Sequence, residues 1–315
     1  MSTLPSLAWQ LLLRGRAHDV WHVHQYGAHA ALVAFMGTVL RRPCVLKLTN
    51  SAGEGIAAVA RAGARAPGLM AWLMRRFDAV VATTEEVKAE ALAFGFEPAV
   101  IHRIGNGVDL QQFAPASADV RAQARRSLGL ADQPTALFAG RLVESKNPTL
   151  LLRAWQQARA TLARQWQLVL VGDGPLRASL QMECTRAEYA GSVRVVGPQS
   201  DMPAWYRAAD IYLCSSNHEG LSNTLLEAMA SGLPVVSTAV SGVGALVASP
   251  NAGRVVPVGG VAALAAALDE MTEDETARQT MGNHAREAVQ AEYSIDAVAL
   301  GHLRLYRSLC GAGTP

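Results

Sequence analysis

The segment from Ser215 to Thr238, SSNHEGLSNTLLEAMASGLPVVST, holds the densest chemistry in the chain. A strand is expected to end near Ser215. A helix is then expected to begin at Ser222 or Asn223, both good N-cap residues, and to stop at Gly232 with Pro234 behind it. The opening N–H groups of that helix, Leu221 to Leu225, would point out from the C-terminal edge of a parallel sheet, where a helix start attracts phosphate or diphosphate. Glu219 and Glu227 stand eight residues apart, one in the loop with Gly220 and one inside the helix. Carboxylates repel phosphate, so these two fit sugar hydroxyls on either side of a diphosphate. The plainer alternative is that Ser222 only caps the helix and Glu227 lies on a solvated face.

A second group is GRLVESKN, Gly140 to Asn147, directly after an expected strand. Arg141 and Lys146 on such a strand-to-helix loop would neutralise a leaving diphosphate, or else are surface charges. A third is VGDGP, Val171 to Pro175, where Gly172 and Gly174 permit close backbone approach to a ligand and Pro175 suits a helix start. It lacks the spacing and the following acid of a dinucleotide site. In the front half His22 and His24 form H-V-H, and strand alternation puts both on one face. No third metal ligand accompanies them; a strand-end histidine is usually a satisfied structural residue, and the alternative is that His24, beside Gly27, touches substrate. Cys44, Cys184, Cys214 and Cys310 show neither C-x-x-C pairing nor zinc spacing and read as buried thiols. Metal ligation is not expected, nor is a nucleophilic Ser/His/Asp or Cys/His set.

Short β-branched runs alternating with helical stretches must position these residues. Strands are expected at 135–140, 167–174, 192–197, 210–216, 234–238 and 253–258, with helices at 147–163, 175–190, 202–209, 222–231, 261–271 and 273–291. The front half repeats the pattern with strands at 19–24, 44–49, 79–84 and 99–107. This is α/β architecture with two doubly wound parallel sheets, whose ligands bind beyond the strand C-termini. The expected division is a first domain over 1–114, a linker over 115–133, a second domain over 134–293, and a last helix over 294–315 that either closes the second domain or crosses back to the first.

At 315 residues the chain is long enough for two cores without disulfide or metal support, and with 50% hydrophobic and 17% charged residues it is not disordered through charge. A net charge of +2 excludes a nucleic-acid footprint. Residues 1–115 carry 11 basic and 8 acidic side chains, a balance suited to an anionic acceptor or to peripheral contact with the inner membrane surface. Gly232, Pro234, Ser237, Thr238, Ser241 and Gly242 break the uncharged stretch 228–253, and 30–40 is too short to span a bilayer. Met1 to Leu13 lacks a basic leader and a cleavage site, so a cytoplasmic protein is expected.

Taken together, HDVWHVH at 18–24, GNGVD at 105–109, GRLVESK at 140–146, VGDGP at 171–175, VVGPQSD at 195–201 and EGLSNTLLEAMASGLPVV at 219–236 resemble the family-4 retaining glycosyltransferases of the GT-B fold over nearly the whole chain. The resemblance implies two Rossmann-like domains facing a cleft and transfer of a sugar from a nucleotide-diphospho-sugar to a saccharide or lipid-linked acceptor, in cell-surface polysaccharide or glycolipid synthesis. It implies no cofactor and no metal, and leaves the nucleotide base open. By position, Arg141 and Lys146 would hold the diphosphate and Glu219 the donor-sugar hydroxyls. Glu227 would take the ribose, and the Leu221, Ser222 and Asn223 backbone the phosphate. His24 matches the family's cleft histidine, and the base would lie near Arg194, Val195 and Gly197. The family's first domain opens with strands that precede the H-V-H strand, so the first domain is expected to be incomplete. Ser241 and Ala245 stand where the family often has a glycine and an acid. The alternative function is a catalytically impaired nucleotide-sugar-binding remnant or partner subunit; a GT-B epimerase would carry a different acid/base set.

Overall fold

The central strands form from short runs of small or β-branched residues buried on both faces, as parallel sheets covered by helices require, while Trp21–His24, Ile101–Arg103, Val193–Val196 and Gly253–Val256 are only partly buried. The computed structural model describes residues 3–49, 56, 67–158, 166–189, 191–248 and 251–311. It comprises two units, Met1–Asn106 with Asp296–Pro315, and Gly107–Ile295.

In the first unit, β1 (Trp21–His24), β2 (Cys44–Leu48), β3 (Ala79–Ala82) and β4 (Ile101–Arg103) form a parallel sheet in that order. The strand expected over 99–107 is limited to Ile101–Arg103. Helices α1 (Thr3–Arg14), α2 (Ala28–Leu40), α3 (Pro67–Met74) and α4 (Glu85–Phe94) belong to this unit. Val23, Leu46, Val80 and Ala82 of the strands share a buried cluster with Ala30 and Ala34 of α2 and Met74 of α3. Thr84 caps α4 by accepting from Val87 N, and Gly95 ends it with φ 99°. The last helix, whose direction the sequence left open, is α12 (Ile295–Leu309). Its Leu305 packs with Val45, Ala79 and Val81 on the first sheet.

The second unit holds β5 (Thr135–Ala139), β6 (Gln167–Val171), β7 (Val193–Val196), β8 (Ile211–Cys214), β9 (Val235–Thr238) and β10 (Gly253–Val256), in the order β10-β9-β8-β5-β6-β7, all parallel. The chain runs outward from β5 through β6 to β7, then returns to β8 on the other flank of β5. The topological switch point therefore falls between β5 and β8, where open α/β sheets bind ligands. Helices α5 (Ala118–Ser127), α6 (Pro148–Gln157), α7 (Arg177–Glu183), α8 (Met202–Ala208), α9 (Asn223–Ala230), α10 (Val261–Glu273) and α11 (Glu275–Glu292) complete it.

Four expectations change. Residues 115–133 are not a linker: Ser117 caps α5, and Arg125 binds Asp210 and donates to Ala208 O at 3.0 Å, which fixes α5 to α8. The prolines at 115 and 134 bound a docked helix rather than a spacer, and the division falls at Asn106/Gly107. The helix expected over 175–190 spans only Arg177–Glu183, followed by tight turns. The helix expected over 147–163 runs to Gln157, and 159–165 lie outside the described residues. Of the four thiols only Cys44 and Cys214 are buried; Cys184 is half-buried and Cys310 exposed.

Candidate functional site

The loops that follow β5 and β8 meet at the switch point, and their side chains form one knot. After β5 the chain passes Gly140 and exposed Arg141, buries Leu142, and reaches Lys146 before Asn147 caps α6. After β8, Ser215 and Ser216 are fully buried, and Glu219 and Gly220 lead to the start of α9. Lys146 Nζ is ion-paired with Glu219 Oε2, both side chains being mostly buried. Ser216 Oγ donates to the same carboxylate oxygen at 3.1 Å. Ser215 Oγ donates to Lys146 O at 2.8 Å, and Asn217 N donates to Ser145 O at 2.8 Å. Asn217 also bridges to Asn147 Nδ2 and Glu144 O. Lys146 thus spans from one loop to the acid of the other.

At the start of α9 the expected capping bond from Ser222 is not made. That residue occupies the N-cap position, and its hydroxyl meets Thr224 Oγ1 at 3.1 Å. Glu227 is not on a solvated face either. It is half-buried and accepts from Tyr206 Oη at 2.8 Å. Burial raises its pKa above the usual carboxylate value, and the Tyr206 hydrogen bond opposes that rise. Tyr206 also donates to Thr224 O, and buried Tyr212 donates to Thr224 Oγ1 at 2.8 Å. Two tyrosines therefore hold the first turn of α9 from below, and burial lifts both phenols well above their ordinary pKa. The sequence reading missed this pair and Ser216. The available signal was two tyrosines, at 206 and 212, in stretches expected to be core, where a buried hydroxyl must find a partner.

Gly172 and Gly174 have φ of 151° and 154°. A side chain at Gly172 would collide with the Gly140 carbonyl, and one at Gly174 would stand 2.8 Å from the Leu142 carbonyl carbon. The close approach that needs glycine here is thus between the loops after β5 and β6, laced by Leu142 N to Asp173 O at 2.8 Å. Arg194 is not in the knot: its guanidinium donates to Gly129 O at 2.8 Å, and Val195 packs against the second core cluster. Gly197 instead leaves room for the Arg177 guanidinium, which stands 3.6 Å from Asp173. The stretch with Ser241 and Ala245 leads into a single π-helical turn, Gly244–Ala248.

In the first unit His22 and His24 do share a face, with rings stacked 4.7 Å apart. His24 closes β1, after which Gln25 turns with φ 70° and Gly27 opens α2. No metal-holding group of three or more His, Cys, Asp or Glu occurs among the described residues.

Residues 120–288 match the family model of the glycosyl transferases group 1, and residues 2–112 match that of glycosyltransferase family 4. This chain belongs to the family-4, group 1 glycosyltransferases of the GT-B fold. It is 34% identical over 246 residues to a D-inositol 3-phosphate glycosyltransferase of Kribbella flavida, covering 73% of this chain and 56% of that protein. It therefore spans about half the length of the inositol 3-phosphate glycosyltransferases it matches. A lipopolysaccharide core biosynthesis mannosyltransferase, LpcC of Rhizobium leguminosarum, is 27% identical over 98% of this chain and 85% of its own length. The crystal structure of Anabaena HepE with UDP superposes with a TM-score of 0.82 at 20% identity, over 98% of this chain and 82% of that one. Among the described residues no helix of this chain is long and apolar enough to cross a membrane.

Proposed function

We propose that this glycosyltransferase moves a sugar from a nucleotide-diphospho-sugar to a saccharide or lipid-linked acceptor with retention of anomeric configuration, without a metal. The observation that carries the reading is the Lys146–Glu219–Ser216 knot beside the start of α9, at the switch point of the second sheet. It puts a cation, a helix N-terminus and a carboxylate together. Those are the groups needed for a diphosphate joined to a polyol. Arg141 and Lys146, with the Leu221, Ser222 and Asn223 backbone, take the diphosphate. Glu219 takes donor-sugar hydroxyls and Glu227 the ribose.

In the transfer step the bond from the anomeric carbon to the diphosphate oxygen breaks, and the acceptor oxygen bonds the same face of that carbon. The acceptor's proton passes to the departing phosphate oxygen. The two cations stabilise the charge that grows on that oxygen, which lowers the barrier only so far as they hold it better than the ground state. His24 contributes a hydrogen bond to the sugar being moved. HepE was solved with UDP, and two relatives are named for lipopolysaccharide core synthesis, which makes UDP-sugars the first donors to try and surface glycolipid the acceptor class. A cytoplasmic site of action fits nucleotide sugars. Exposed Trp9, Leu12 and Leu13 on α1 and Trp72 on α3, near Arg14, Arg75 and Arg76, fit peripheral contact with an anionic membrane.

The test is hydrolysis and transfer with UDP-glucose, UDP-N-acetylglucosamine, GDP-mannose and ADP-glucose, with the product anomer read by proton NMR before mutarotation. Turnover of one donor to the retained anomer, lost in Arg141→Ala and Glu227→Ala, is expected. An inverted product overturns the retaining mechanism. Turnover of none of the four overturns the donor reading.

A further inference from the structure

Outside the donor site, the densest group of titratable side chains lies on one face of the first unit's sheet. His22 and His24 project there together, ring planes 27° apart. Helix α12 covers this face through Leu305. It brings His302 to 5.6 Å from the His22 ring, and Tyr306 edge-on to 5.8 Å. The Tyr306 hydroxyl is 2.6 Å from His22 Nδ1, a contact between residues 284 positions apart. Lys47 lies in register with His24 on the neighbouring strand. His24, His302 and Lys47 are the charged groups that act on His22, Tyr306 touches it, and His18, Asp19, Arg307 and Cys310 line the cavity beside it.

Imidazoles crowded against one another and a lysine repel unless they are neutral. Burial, followed by His24, His302 and Lys47, lowers the His22 pKa to about 4. Burial, then Lys47 and His302, lowers that of His24. If His22 served packing alone, a hydrocarbon ring would be cheaper, because His22 Nε2 is buried without a partner. An unsatisfied buried polar atom is costly. What histidine adds over phenylalanine is Nδ1, which ties the ring to the last helix. A ring so tied presents a fixed flat face to His24.

We propose that Tyr306 and His22 are positioning residues for His24: the Tyr306 hydroxyl locks the His22 ring, and that ring's face holds the His24 imidazole in the orientation in which it meets the sugar. The inference rests on the proposed role of His24 in transfer. It makes the C-terminal helix part of the machinery, and it keeps His24 a neutral donor and acceptor suited to a hydroxyl rather than a cation competing for the diphosphate.

The experiment compares Tyr306→Phe, His22→Phe, their double variant and His24→Ala in the full chain. It measures donor turnover, and the imidazole nitrogen resonances of His24 at neutral pH. Tyr306→Phe removes one oxygen and keeps the ring packing, so the fold is retained. The expected result is a fall in kcat of about tenfold with donor KM changed less than about twofold, since misplacing a contacting group costs rate more than affinity. The His24 resonances should move toward a tautomer average, and the double variant should be no worse than His22→Phe alone. Unchanged His24 resonances in both single variants overturn the proposal, whatever the turnover. Full activity in His24→Ala overturns the role of His24 instead, and the resonances then decide the positioning claim by themselves.

Discussion

Replacing Gly172 by alanine probes whether the loops after β5 and β6 form one braced element. The new methyl would overlap the Gly140 carbonyl oxygen and stand 3.0 Å from its carbon, so the loops must part. Three backbone hydrogen bonds lie along the seam: Gly140 N to Val171 O at 3.0 Å, Leu142 N to Asp173 O at 2.8 Å, and Leu176 N to Leu142 O at 3.0 Å. At about 1 kcal/mol each, their loss costs about 3 kcal/mol. The φ of 151° adds about 1 kcal/mol for any residue with a side chain. The total, about 4 kcal/mol, is a large part of the roughly 5–15 kcal/mol that holds a domain folded. Gly191→Ala is the control, because Gly191 has φ 79° and no atom within 4 Å of the added methyl. It carries the backbone cost alone, about 1 kcal/mol. Urea unfolding followed by tryptophan fluorescence reads both, since Trp155, Trp166 and Trp205 are buried in the second unit. Gly172→Ala should lose about four times the stability of Gly191→Ala. Equal losses in the two variants would refute the bracing.

Three further outcomes follow from the same geometry. Glu227 has a pKa raised by burial, so the folded state holds its proton longer than the unfolded state; stability falls as pH rises through that window and stays lower above it. Glu227→Gln should therefore stabilise the protein at pH near 7 but not near pH 4, while weakening donor binding, and an equal gain at both pH values would contradict this. His22 shows the opposite dependence: with its pKa lowered from 6.5 to about 4, its contribution is present above pH 6.5 and is lost as pH falls toward 4. His22→Phe should flatten that slope in a melting series, and an unaltered slope would assign the acid sensitivity elsewhere. Arg125→Ala leaves the mostly buried Asp210 with Arg121 at 3.5 Å and Thr135 N, and should cost about 3 kcal/mol, as breaking one side of a buried pair does. A loss below about 1 kcal/mol would return 115–133 to the status of a loose connector.

Much of this was legible in the sequence because parallel strands in covered sheets are written as short apolar runs between helical stretches, and these runs fall on the ten described strands. The start of α9 was equally readable from Ser222, Asn223, Gly232 and Pro234. Helix ends were less so: the apolar pattern past Glu183 is spent in turns that seat Tyr189, not in helix. The supposed linker misled because Pro115 and Pro134 mark a boundary in either case, whereas the Arg125–Asp210 pair that docks α5 joins residues 85 apart. Within the site, the acids and cations were visible as types at positions. That Lys146 pairs with Glu219, or that Tyr206 and Tyr212 support Thr224, depends on strand order, which local spacing does not encode.

The most direct test of the donor site is calorimetric titration of the 315-residue chain with UDP, GDP and ADP, repeated on Lys146→Met and Glu227→Ala. The expected result is one-to-one binding of one of the three, weakened about tenfold or more in each variant, as loss of a charge-assisted contact implies. Binding of none of the three, or equal affinity in the wild type and both variants, would contradict the assignment of the β5 and β8 loops to the nucleotide sugar.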